Sequence, residues 1–260
     1  MSTTHCALVT GATQGIGLAI ATRLAEAGHD VVLHGIEPLS EGLAVAQALA
    51  QRTGQKTAYV PADLRDPQAA SALWAQAAKA LRTPDILVNN AGIQHTCPVQ
   101  DFPTDRWDAI LAINLSAAFM TVRSAVPAMR AQGWGRIVNI ASVHGLVASV
   151  NKTAYLAAKH GLVGLSKGVA LETATDGITV NCICPGWTDT PIIAPQIEAR
   201  AQALGGNRDA AIRDLLREKQ PNQTLLPPGR IGDVAVFLCS DAAAGITGVS
   251  LPVDGGWTAQ

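Results

Sequence analysis

Short, nearly continuous runs of Val, Ile, Leu and Ala recur along the chain. Each is followed by a longer stretch whose apolar residues return every three or four positions. The first pattern predicts strands buried on both faces, the second amphipathic helices. "CALVT" leads into "GIGLAIATRLAEAG", whose helix stops at Gly28, and "DVVLHG" precedes an Ala- and Leu-rich segment around 39–51. "KTAYVPADL" is followed by "PQAASALWAQAAKAL", and "DILVNNAG" by a long helical pattern from about 104 to 129, entered through Asp101, Phe102 and Pro103. "GRIVNIAS", a helix over roughly 153–173 and "GITVNCICPG" come next; a last helix around 233–240 leads into the strand of "GVSLPVDGG". About seven strands alternating with helices predict a doubly wound parallel sheet with helices on both faces, as one α/β domain over 1–260.

One segment interrupts the alternation. After "CPGWTDTP", two helical stretches separated by Gly205 and Gly206 run to about Pro228. They follow the C-terminal end of a strand, where open α/β sheets bind ligands, so a mobile substrate lid over about 187–220 is expected. A decorative excursion would show the same pattern.

Composition narrows the function. A formal net charge of −1 gives no reason to expect nucleic-acid binding. No apolar run reads as long enough to span a bilayer, and "MSTTHCALVT" lacks a charged-then-apolar export signal, so a cytoplasmic protein away from membranes is expected. The five cysteines lack C-x-x-C spacing; Cys182 and Cys184 share one strand face and read as small buried residues, and no metal site is expected.

The glycines of "TGATQGIG" lie between a strand and a helix. Such a turn exposes helix-start amides, a natural seat for phosphate, although a plain structural turn satisfies the same pattern. Glu37, just after the second strand, is a possible ribose partner. No Lys or Arg lies between Gly11 and Gly17 or in His34–Leu39, so a 2′-phosphate would lack a cation and NAD is favoured over NADP. Asp63 ends the third strand, where a carboxylate can accept from the adenine amino group, and "NNAG", Asn89 to Gly92, ends the fourth.

In "ASVHGLVASVNKTAYLAAKHG", Tyr155 and Lys159 stand four apart on one helix face, with Ser142 at the end of the preceding strand. A neighbouring lysine lowers a phenol's pKa by favouring phenolate, which suits proton transfer at neutral pH. Such a pair arises by chance on many helices; the order of the whole set is more specific. TGxxxGIG, NNAG, Asn114 in "AINLS", Ser-x12-Tyr-x3-Lys and "CPG" together resemble the short-chain dehydrogenase/reductase family over essentially the full length. The resemblance implies a Rossmann fold, a nicotinamide cofactor and the catalytic set Asn114, Ser142, Tyr155 and Lys159. Tyr155 would be the general acid/base, Ser142 would hold the substrate oxygen, Lys159 would bind ribose and tune Tyr155, and Asn114 would anchor a relay water. The cofactor would be lined by Gly11, Thr13, Gly15, Ile16, Gly17, Ile36, Asp63, Leu64, Asn90, Ala91, Gly92, Tyr155, Lys159, Pro185, Gly186, Trp187, Thr188 and Thr190.

Several polar residues beside this set are less generic. Gln94 and His95 follow NNAG, His144 and Lys152 flank the turn before Tyr155, and Gln196 opens the lid helix. If they converge they offer one cation, a possible second one in histidine, and neutral donors, which fits a small carboxylate. Each has a plain alternative in solvent, caps or backbone bonding. "LVNNAGIQHT", "ICPGW", "EKQP" and "DGGWTA" resemble the branch of the family acting on small 3-hydroxy acids. That implies Gln94, His144, Lys152 and Gln196 as carboxylate ligands, Trp187 and Trp257 as pocket walls, a hydroxy-acid/keto-acid substrate pair and a homotetramer. The chain departs from the branch at "HGIE" and at Thr188-Asp189, whose carboxylate is expected to face outward. A 3-oxoacyl thioester reductase and a non-catalytic nucleotide-binding protein remain the alternative functions.

Overall fold

The computed structural model describes residues 4–259. Seven strands form one parallel sheet: β1 (Cys6–Val9), β2 (Asp30–Gly35), β3 (Thr57–Pro61), β4 (Ile86–Asn89), β5 (Gly135–Ile140), β6 (Ile178–Pro185) and β7 (Ser250–Val253), in the order β3-β2-β1-β4-β5-β6-β7. The helices between them are α1 (Gly15–Glu26), α2 (Leu39–Thr53), α3 (Pro67–Ala80), α4 (Thr104–Leu111), α5 (Ala117–Gln132), α6 (Thr153–Glu172), α7 (Ala194–Ala203), α8 (Arg208–Lys219) and α9 (Pro228–Cys239). The order reverses between β1 and β4, which opens a crevice at the strands' C-terminal ends.

Alternation along each strand feeds two cores. Ala7 and Val9 meet Ile20 and Leu24 of α1 and Ile231 and Leu238 of α9, whereas Cys6 and Leu8 meet Leu73 and Trp74 of α3 and Met129 of α5. Burying each large apolar side chain is worth about 1.5–3 kcal/mol, so two filled faces hold the sheet between its helices. Cys182 and Cys184 are both buried with Ala118 and Leu162, on one face as their spacing requires.

Two elements depart from the sequence pattern. The stretch read as one helix from 104 to 129 is broken by a π-helical turn over Ala112–Ser116, and the last helix begins at Pro228, five residues before Asp233, because proline suits a first helical position. The run Thr104–Gln132 is also, by length and hydropathy, apolar enough to cross a membrane, contrary to expectation. In the fold that apolarity packs Val122, Ala125 and Met129 against α3 and the sheet. The excursion after β6 is a helical pair: α7 and α8 enclose Ile197, Ala201 and Ala211 and are bridged by Arg200, which pairs with Asp214 at 2.6 Å and Glu218 at 2.9 Å.

Candidate active site

The crevice is built on bare backbone. The N-terminus of α1 has no side-chain cap, leaving its first amides for a ligand. A Cβ on Gly17 would collide with the Gly11 carbonyl and the Asn90 amide, so only glycine lets the helix start this close to β1 and β4. Gly15 adopts φ +56° beneath Thr190, whose methyl would lie 3.5 Å from a Cβ there. The nicotinamide dinucleotide implied by this fold therefore fits. Gly15, Ile16 and Gly17 would supply the phosphate cradle beneath Thr190, and Ile36, 74% exposed beyond β2, would offer an apolar platform for the adenine.

The side chains of NNAG serve the scaffold, and only its backbone faces the crevice. Asn89 donates to Asn139 (2.9 Å) and accepts from Thr121 (2.7 Å) inside the sheet. Asn90 donates to the Thr10 and Gly11 carbonyls, at 2.9 and 3.0 Å, and so holds the glycine loop. Glu37 turns inward. It accepts from the Thr13 hydroxyl at 2.7 Å and from Tyr59, and although partial burial opposes ionisation these bonds hold its carboxyl below the usual range. It thus braces the loop. Asp63 is held from two sides by Arg65, at 2.6 Å at the closest, which lowers its pKa. Leu64, Thr10, Asn89, Ala91 and Asn114 line a cavity of about 10 Å³ behind the crevice. Such a volume is on the order of one water.

The proton-transfer groups converge. Asn114 sits in the π-turn, buried, exchanging two 2.9 Å bonds with the backbone of Ile93. Ser142 accepts from the His144 amide at 3.1 Å. Lys159 donates to the Ile140 carbonyl at 2.7 Å and lies 5.6 Å from the Tyr155 ring. The expected depression of the phenol is not found. Burial pushes Tyr155 up to about 12 against a smaller opposing effect of Ser142, and burial also pushes Lys159 down to about 8. Desolvation is the largest cause in both groups, and the closest contact of Lys159 is the Ile140 carbonyl.

Beside them side chains gather around Lys152. Lys152, buried, donates to Gln196 at 3.3 Å, and its ammonium lies 5.4 Å from the Trp187 ring. Burial lowers its pKa to about 8, and no carboxylate pairs with it among the described residues. His144 packs edge-on to Tyr155 (6.0 Å) and Trp257 (5.5 Å), and the two indoles lie 5.8 Å apart. Burial and the Lys152 charge push His144 down to about 3, so it is a neutral ring held between Ser142 and Ser149. The Trp187 indole N–H is buried without a protein partner.

Gln94 does not join this cluster through a hydrogen bond; it donates to the Ile192 carbonyl (3.2 Å) at the lid's entrance, and His95 packs against Phe102. Thr188 is buried and Asp189 exposed, as the outward reading requires. The residue that sequence reasoning missed here is His34, whose Nδ1 accepts from the Gly11 amide at 3.2 Å while Nε2 meets the Ala62 carbonyl at 3.1 Å. Its place at the end of β2 was visible, but its partners lie on two other strand ends.

A glycine-built dinucleotide crevice beside a Ser–Tyr–Lys cluster defines a nucleotide-dependent oxidoreductase, and the chain belongs to the short-chain dehydrogenase/reductase family: residues 11–258 match the family model described as enoyl-(acyl carrier protein) reductase. Among curated relatives it is similar to the D-beta-hydroxybutyrate dehydrogenase of Cupriavidus necator, 49% identical over 255 residues, 98% of each chain. It is also similar to the enzyme of that name from Rhizobium meliloti, 45% identical over 257 residues, 99% of this chain and 100% of that one. Of solved structures, L-sorbose reductase from Gluconobacter frateurii, complexed with NADPH and L-sorbose, superposes with a TM-score of 0.94 at 29% identity over 99% of this chain and 98% of that chain.

Proposed function

We propose that this protein is an NAD-dependent dehydrogenase that interconverts (R)-3-hydroxybutyrate and acetoacetate. The observation that carries the reading is Lys152: a buried cation without a carboxylate among the described residues, beside Gln196 and the Trp187 indole. A buried unpaired charge is costly, and a ligand carboxylate relieves that cost, whereas a neutral alcohol or an acyl thioester leaves it in place. The curated relatives act on a substrate of this kind by their names.

In this reading Lys152 and Gln196 hold the carboxylate, Trp187 and Trp257 exclude water, and Ser142 donates to the substrate oxygen at C3. Gln94 closes the pocket through its bond to Ile192, and neutral His144 orients Ser142 without adding charge. The bound cofactor supplies the hydride acceptor at its nicotinamide ring. Tyr155 takes the hydroxyl proton during oxidation and returns it during reduction, with Lys159 beneath it and Asn114 shaping the wall behind. The high pKa of the phenol keeps it protonated at neutral pH, the state that reduction uses.

NAD is preferred because the Glu37 carboxylate stands beside Thr13 of the glycine loop, where it repels a 2′-phosphate, and Arg65, the nearest cation beyond β3, is committed to Asp63. Trp107, Phe119 and Leu171 are exposed on α4, α5 and α6 and supply an apolar face for self-association, read as a homotetramer. The protein is read as cytoplasmic, with five free thiols. Reduction of cofactor is measured with each enantiomer of 3-hydroxybutyrate against NAD⁺ and NADP⁺. Turnover confined to the R acid with NAD⁺ is expected; turnover of both enantiomers alike, or of neither, overturns the substrate assignment.

A further inference from the structure

The lid's base is closed in an unusual way. The excursion leaves β6 at Gly186 and returns at Leu226, and its ends are clasped by two backbone bonds: Leu226 N–H to the Trp187 carbonyl and Asp189 N–H to the Leu226 carbonyl, both 2.9 Å. Between them lies Gln220, the residue that follows α8, with no exposed surface at all. Its Oε1 accepts from the Trp187 amide at 2.9 Å, and its Nε2 donates to the Thr224 carbonyl and to Asn222 Oδ1. The turn it organises docks on the C-terminal segment, where the Asn222 amide donates to the Gly255 carbonyl at 3.0 Å, two residues before Trp257. Gly186 and Gly255 are glycine for this reason. A Cβ on Gly186 would approach Gln220 Oε1 to 2.6 Å, and one on Gly255 would strike the Asn222 carboxamide.

We propose that Gln220 is the latch of the lid, a positioning residue whose single carboxamide joins the lid's first residue to the returning turn at 222–224, a turn that the Asn222 amide ties to the segment bearing Trp257, and so sets the two indole walls against which the hydroxy acid is recognised. The inference rests on the substrate reading above only in treating those indoles as pocket walls. A buried carboxamide with its acceptor and both donors engaged is a rigid joint, because any displacement strands polar groups away from water. Leu or Met at this position fills the space but cannot bridge Trp187 to the 222–224 turn, and Ala leaves a cavity as well. The helical pair beyond the joint has its own core and its Arg200 bridges, so it moves as a body about the base that Gln220 holds.

The test compares wild type with Gln220→Ala and Gln220→Glu in the full chain, reading amide exchange at Trp187 and over 224–226, KM and kcat for (R)-3-hydroxybutyrate, and NAD⁺ affinity. Gln220→Ala is expected to speed exchange at Trp187 and in the returning strand and to raise KM about tenfold, while kcat and NAD⁺ affinity change less than about threefold. Gln220→Glu keeps the acceptor for Trp187 and loses the donors, so Trp187 is expected to stay protected while 224–226 exchange faster. That split is not produced by general destabilisation. If the alanine variant does not fold, the glutamate variant decides alone. Unchanged exchange at all these positions, or equal acceleration across the whole chain, overturns the latch. Should wild type fail to oxidise any 3-hydroxy acid, the substrate reading falls, and the exchange pattern still decides the latch.

Discussion

Tyr155→Phe is expected to lower kcat by about 10³-fold while leaving NAD⁺ affinity and the KM for 3-hydroxybutyrate near wild type, since general acid/base catalysis contributes about 10²–10⁴-fold. The substitution removes one oxygen from a part-buried ring that otherwise keeps its packing against His144 and above Lys159. Steady-state kinetics with a binding titration of the cofactor checks it. A variant retaining more than a tenth of the activity removes Tyr155 from the proton path. The direction of the pH dependence follows from the same group. Oxidation needs the phenolate, and the ligand-free phenol is pushed up to about 12, so kcat for oxidation rises with pH through the neutral range, whereas reduction, which needs the phenol, does not.

Lys152→Ala is expected to raise KM for 3-hydroxybutyrate by about 30-fold or more, some 2 kcal/mol of lost transition-state and ground-state binding, with a smaller effect on kcat. Its pH profile carries the sharper prediction. Burial holds the ammonium at about 8, below the usual lysine range, so the charged form that binds a carboxylate is complete well below pH 8 and is lost as pH rises through it. KM in wild type therefore climbs above about pH 8, and the climb is absent in Lys152→Ala. Linkage gives the matching sign for stability: a lysine with a depressed folded pKa costs the free protein most where it is charged, at low pH, and the cost fades as pH rises through about 8. A KM that is flat from pH 7 to 10 in wild type places Lys152 outside the carboxylate site.

The alternation of strand and helix was legible along the chain because burial on both faces of a parallel sheet leaves its mark on consecutive residues. The break at Ala112–Ser116 was not, since a π-turn adds one residue per turn without changing which residues are apolar. Motifs named candidates that the fold brings together: Ser142, Tyr155 and Lys159 meet as their spacing implies, and Lys152, Gln196, Trp187 and Trp257 come together from a loop, α7 and the C-terminal segment. What spacing could not convey is the balance of energies. The lysine–tyrosine pair suggested a lowered phenol pKa, yet desolvation dominates with Lys159 buried and Tyr155 part-buried. Nor could it distinguish a side chain that faces a ligand from one that braces the scaffold: Glu37, Asn89 and Asn90 stand at crevice positions and spend their polar atoms on Thr13, Asn139 and the glycine loop. His34 and Gln220 went unread for the complementary reason. Each acts through partners supplied by separate segments, and a lone His or Gln in a sequence carries no sign of them.

In the proposed reading a buried lysine selects a carboxylate for oxidation at its β-carbon. The most direct measurement is kcat/KM for (R)-3-hydroxybutyrate against its neutral methyl ester, in wild type and in Lys152→Ala. A preference for the acid of about 100-fold in wild type that shrinks to less than about fivefold in the variant is the expected result. An ester oxidised as well as the acid by wild type, or a preference that survives loss of the lysine, contradicts it.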